Sequence, residues 1–83
     1  MAEEQAEEVT YTIYKTATCV YCAMVGKLFK QWGRRYRFYD ITDLPEKRLE
    51  LQKLTGATTV PLTFNDNTGE WVVGFNAAKL KSL

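Results

Sequence analysis

Two stretches with period-two alternation, joined by one with helical period, constrain this chain more than any other feature. Val9–Lys15, VTYTIYK, is β-branched and aromatic and alternates, so it reads as a strand. After the short turn TATC, the apolar residues Tyr21, Val25, Leu28, Phe29 and Trp32 recur at helical spacing between Val20 and Trp32. Arg35–Ile41, RYRFYDI, is strand-like again. Strands joined through a helix run parallel, because an antiparallel pair needs only a short turn. The chain therefore opens with a β-α-β unit. Gly33 is placed to cap its helix. Gly26 inside that helix costs about 1 kcal/mol against Ala, which points to close packing there.

The remainder extends the sheet. In DLPE, Asp43 is expected to be an N-cap, with Pro45 in the first turn and Glu46 in the capping-box position. That helix should run to about Thr55 and stop at Gly56, with Leu44, Leu51 and Leu54 on one face and Leu49 off it. VPLTFND and EWVVGF flank the turn DNTG and read as an antiparallel hairpin. Asn76 can cap a short last helix, Ala77–Ser82. The expected fold class is α/β: order β-α-β-α-β-β-α, a mixed four-stranded sheet flanked by helices on both faces.

At 83 residues the chain is one small domain, 46% hydrophobic, which suits a packed core. Its net charge of +1 argues against a dedicated nucleic-acid binder. Glu3, Glu4, Glu7 and Glu8 form an acidic stretch; without them 11 basic residues face 6 acidic ones, a body of +5. Residues 1–8 are read as a flexible tail and 9–83 as the domain. No secretory leader or membrane span is visible, so a reducing, cytoplasmic setting is expected. Arg34, Arg35 and Arg37 surround Tyr36, and this single cluster reads as solvated loop charge, with an acidic protein partner as the minority reading. Phosphate-loop and dinucleotide motifs are lacking, and with no histidine there is no Ser/His/Asp set.

The chemistry concentrates in Cys19-Val-Tyr-Cys22. As a staple the pair is poor: closing so short a loop gives about 2 kcal/mol, against about 4.7 for a 100-residue loop. As a metal site it is incomplete, since structural zinc takes four ligands and the chain has two cysteines and no histidine. Two chains could still pool their thiolates. As a dithiol it fits its position. Cys19 falls where the strand has ended and the helix begins, where free N–H groups and the helix dipole favour a thiolate. Cys22 lies one turn further on, able to attack a mixed disulfide at Cys19. Lys15 at the strand end could add positive potential, or could simply be solvated. A C-x-x-C at a β-to-α junction of a small α/β domain is a strong redox signal.

These residues resemble the glutaredoxins of the thioredoxin superfamily over nearly all of Val9–Leu83. TCVYC is similar to their T-C-P-Y-C, with Val20 in place of the usual proline, and C-V-Y-C is similar to the site of some bacteriophage members. GATTVPLTF resembles the family's T-V-P loop, whose proline is cis, and VGFNAAKL the G-G-x-D segment that opens the last helix. The resemblance implies Cys19 as nucleophile and Cys22 as resolving thiol. It implies a glutathione groove in which Tyr21 lines one wall and Thr59, Val60 and Pro61 present backbone to the peptide. Asn76, with Gly74 and Phe75 beside it, would receive the γ-glutamyl carboxylate at a helix N-terminus, and Lys15 stands near the family's usual lysine, one residue early. Val73 replaces a family glycine, Asn76 an aspartate, and Ala57 an arginine that some members carry. The implied function is glutathione-dependent reduction of protein disulfides and glutathione mixed disulfides by a monomer without metal, with ribonucleotide reductase as an implied electron acceptor. WVVGF is also similar to the W-S-G-F of NrdH-type redoxins, which are reduced by thioredoxin reductase. A glutathione-ligated iron–sulfur cluster bridging two chains through Cys19 is the alternative from another class; members that bind one usually lack the proline after the first cysteine, as here.

Overall fold

The computed structural model describes residues 10–83, so Val9 and the stretch read as an acidic tail lie outside the described residues. Four strands, β1 (Tyr11–Lys15), β2 (Tyr36–Asp40), β3 (Leu62–Asn65) and β4 (Trp71–Val73), form one sheet in the order β2-β1-β3-β4. β1 and β2 are parallel, while β3 is antiparallel to both β1 and β4. Helices α1 (Val20–Gln31), α2 (Pro45–Thr55) and α3 (Ala77–Ser82) complete the expected order.

The strand alternation sorts side chains onto two faces. One face of the sheet meets α1 and α3 in a core of Ile13, Val25, Phe29, Val72 and Leu80. Phe29 is fully buried, with the ring of Tyr11 4.8 Å away and that of Tyr36 6.1 Å away, edge-on. The other face meets α2 in a smaller cluster of Ile41, Leu51 and Leu62, joined by Tyr14, Val60 and Trp71.

Helix α1 ends as the sequence requires. Trp32 is the C-cap, and Gly33 follows it at φ +70°. The Gly33 N–H donates to the Lys30 carbonyl at 3.1 Å and the Arg34 N–H to the Phe29 carbonyl at 2.9 Å, the paired bonds of a Schellman turn. Gly26 is where α1 touches β2: a Cβ there would stand 2.6 Å from Phe38 Cζ.

Helix α2 departs from expectation at its start. Leu44, not Asp43, is at the N-cap, with no side-chain bond, and the Asp43/Glu46 capping box does not form. Pro45 has no N–H and a fixed φ suited to the first helical position, so the helix enters there, one residue late for the box. The preceding turn is closed by Asp40 instead, whose Oδ1 accepts from the Thr42 N–H at 2.9 Å. Of the three leucines expected on one face only Leu51 is buried. Leu44 lies outside the helix, and Leu54 in its last turn is 64% exposed.

Candidate active site

β1 delivers the chain to the site and α1 receives it. Thr16–Thr18 form the turn between them, and Cys19 is the N-cap of α1 with extended backbone (φ −91°, ψ 105°). An N-cap side chain normally offers oxygen to a free N–H. Here it is sulfur: Cys19 Sγ accepts from the Cys22 N–H at 3.1 Å. The first turn of α1 carries no acidic residue, so the positive end of its dipole is not offset. Cys19 is half-buried and reachable, whereas Cys22 is fully buried. The two are joined as a disulfide, with Cα atoms 5.3 Å apart. Cys22 Sγ lies 3.9 Å from the Tyr14 carbonyl, which can accept a hydrogen bond from its S–H in the dithiol form.

A cleft of about 640 Å³ opens beside Cys19. Thr16, Thr59 and Val60 form one wall, Pro45, Arg48, Leu49 and Gln52 of α2 the other, and Ile41, Leu51 and Leu62 also line it. The Val60–Pro61 peptide is cis. The Val60 backbone has no hydrogen-bond partner among the described residues, so its N–H and C=O are free for an extended ligand.

The cleft therefore gathers Cys19, Thr59 and Val60, with Ala57 beside them, and the other candidate site residues are not among those that line it. Pro61 is buried behind it, its carbonyl accepting from the Gly74 N–H at 2.9 Å. Tyr21 is 58% exposed, and its ring pairs with that of Phe75 at 5.7 Å. Asn76 caps α3, its Oδ1 accepting from the Lys79 N–H at 3.0 Å. Lys15 takes no part in the cleft wall; its ammonium lies over the Phe38 ring, 5.4 Å from the centroid. Sequence reading missed Arg48 and Gln52. The signal is their spacing, since residues four apart share a helix face. Among the described residues no three His, Cys, Asp or Glu side chains gather as a metal site, and no helix is long and apolar enough to cross a membrane.

A reachable half-cystine capping a helix, a buried partner one turn on, and a cis proline loop beside them on a four-stranded mixed sheet define a thioredoxin-like dithiol oxidoreductase. The glutaredoxin family model matches residues 11–69, and the chain belongs to that family, whose chemistry is thiol–disulfide exchange. Among solved structures, a buckwheat glutaredoxin–glutathione complex is 26% identical, with TM-score 0.76, covering 98% of this chain and 74% of that one. The thioredoxin-like protein BC3987 is 25% identical, with TM-score 0.73, covering 87% and 96%. A glutaredoxin from Archaeoglobus fulgidus shares the fold at TM-score 0.78 and 21% identity, covering 96% and 90%. Comparison with curated protein sequences finds no match.

Proposed function

We propose that this protein is a glutathione-dependent disulfide reductase with Cys19 as nucleophile and Cys22 as resolving thiol. The observation that carries the reading is the asymmetry of the pair: Cys19 Sγ is reachable at a helix N-terminus beside a cleft, and Cys22 is sealed one turn behind it. The Cys19 thiolate attacks one sulfur of a substrate disulfide, that S–S bond breaks, and the other sulfur leaves as a thiolate. Cys22 attacks Cys19 Sγ in the mixed disulfide, its proton passing through solvent to the departing sulfur, and the second substrate sulfur is expelled as a thiol. Two electrons have then passed from the dithiol to the substrate, and the Cys19–Cys22 disulfide remains. Two glutathione molecules reverse the sequence and leave as glutathione disulfide.

The free Val60 backbone supports a bound tripeptide in extended form, and Arg48, which lines the cleft from α2, supplies a cation suited to a carboxylate end. The buckwheat relative's complex with glutathione supports the same ligand. Ribonucleotide reductase as one acceptor, a monomeric state and a cytoplasmic setting belong to this reading. NrdH-type reduction by thioredoxin reductase is the second reading, favoured by Val73, an exposed apolar residue beside the segment that would receive the γ-glutamyl end. The test gives the oxidised protein either glutathione with glutathione reductase or thioredoxin reductase, each with NADPH, and follows NADPH loss. Turnover with glutathione alone is expected; turnover with thioredoxin reductase alone would replace this reading with the second. Iron–sulfur absorbance after anaerobic expression would instead favour a cluster-binding module. Cys19→Ser should abolish exchange, and Cys22→Ser should spare glutathione mixed disulfides while weakening attack on protein disulfides.

A further inference from the structure

The turn that carries Cys19 into α1 is braced from outside by one side chain. Within the turn, the Cys19 N–H reaches the Thr16 carbonyl at 3.3 Å. The Ala17 N–H points out of it and donates to Thr42 Oγ1 at 2.8 Å. Thr42 lies in the connection from β2 to α2. Its hydroxyl donates to Asp40 Oδ1 at 2.7 Å, and its N–H donates to the same oxygen at 2.9 Å. A hydroxyl has one proton and two lone pairs. With the proton committed to Asp40, a lone pair is turned toward Ala17. The parallel ladder ends just before this point, where the Ile41 N–H donates to the Lys15 carbonyl at 2.8 Å. The brace takes over where the sheet stops.

We propose that Thr42 is a positioning residue for the thiol chemistry: through the Ala17 N–H it fixes the turn that holds Cys19 Sγ on the N-terminal N–H groups of α1. A thiolate gains from a helix N-terminus only while its sulfur stays in hydrogen-bond range of those groups. Cys19 Sγ has one such contact, the Cys22 N–H, and a displaced turn would withdraw it. The Thr42 side-chain bond first, its backbone bond second and the Lys15 charge hold the Asp40 carboxyl below its ordinary value, so the acceptor end of the brace is ionised at neutral pH. The inference rests on Cys19 being the nucleophile.

The experiment uses Cys22→Ser protein, in which Cys19 is the lone thiol, and measures its alkylation by iodoacetamide against pH with Thr42, Val or Ser at position 42. Thr42→Val should raise the thiolate pKa and slow alkylation below the midpoint about three- to tenfold, the effect of half a unit to one unit. Thr42→Ser keeps the hydroxyl and should restore the parent profile. A Thr42→Val profile identical to the parent, whatever its melting temperature, would overturn the proposal by making Thr42 merely structural. Should Thr42→Val not fold, Thr42→Ala removes the same hydroxyl and is judged by the same criterion. A parent Cys19 titrating like a free cysteine, near 8.5, would overturn the assignment of Cys19 and the brace with it.

Discussion

Two buried threonines on one sheet should respond oppositely to the same substitution. Thr63 on β3 is fully buried, and its Oγ1 has no hydrogen-bond partner among the described residues. Its strand neighbours are Ile13 and Val72, both members of the α1-facing core, so its hydroxyl sits among methyl groups. Burying such a group unpaired costs about 1–3 kcal/mol. Thr63→Val keeps the β-branched shape and strand preference while removing that cost. We expect a gain of about 1–2 kcal/mol, hence a rise of about 4–8 °C in Tm per kcal/mol for a domain of this size. Thr12 on β1 is almost as buried, but its hydroxyl donates to Asp66 Oδ1 at 3.0 Å and accepts from Arg37 Nε at 3.2 Å. Thr12→Val should lose about 0.5–1.5 kcal/mol, because both former partners can turn to water. Urea unfolding followed by circular dichroism measures both, with an unchanged m-value required for a like-for-like comparison. A Thr63→Val protein that is no more stable than the parent, at unchanged m, would refute the reasoning.

Arg34 donates to the carbonyls of Leu80 and Lys81 at the end of α3 and lies over the rings of Tyr11, Phe29 and Trp32. Arg34→Ala should therefore destabilise by about 1.5–3 kcal/mol in urea titrations, and Arg34→Lys should recover little of it, lacking the planar fork. Gly26→Ala should destabilise the parent, since the new Cβ meets Phe38, yet stabilise a Phe38→Ala background by about 1 kcal/mol of helix propensity; additive values in that double-mutant cycle would disprove the close contact. Asp40 is depressed below 3.8, chiefly by the Thr42 side-chain bond, so its contribution to stability is present above that value and is lost as pH falls through the lower folded value. Asp40→Asn should flatten that acid limb in melting temperatures recorded against pH, and an unchanged slope would count against the bond.

What the sequence disclosed follows from which forces are periodic. The parallel β1-α1-β2 unit and the hairpin were legible because burial repeats every second residue in a strand and every three to four in a helix. Cys19 was legible because a helix N-terminus acts on whatever residue the chain places there. The start of α2 was misread because Asp43 and Pro45 compete, and the sterics of proline outweigh an optional side-chain bond. The Thr42 brace left no mark, since it is a polar contact between elements distant in sequence, with no period of its own. Lys15 is the instructive case. One residue earlier than the family lysine is a small offset in sequence, but along a strand one residue means the opposite face. Ile13 and Lys15 are two apart and so share a face, the one that carries α1, and it is there that Lys15 meets Phe38. Thr16 takes the next position and lines the cleft. The cation facing the cleft is then Arg48, supplied by α2 rather than by the strand, so the charge at this end of the groove depends on how a helix held by one buried leucine sits against the sheet.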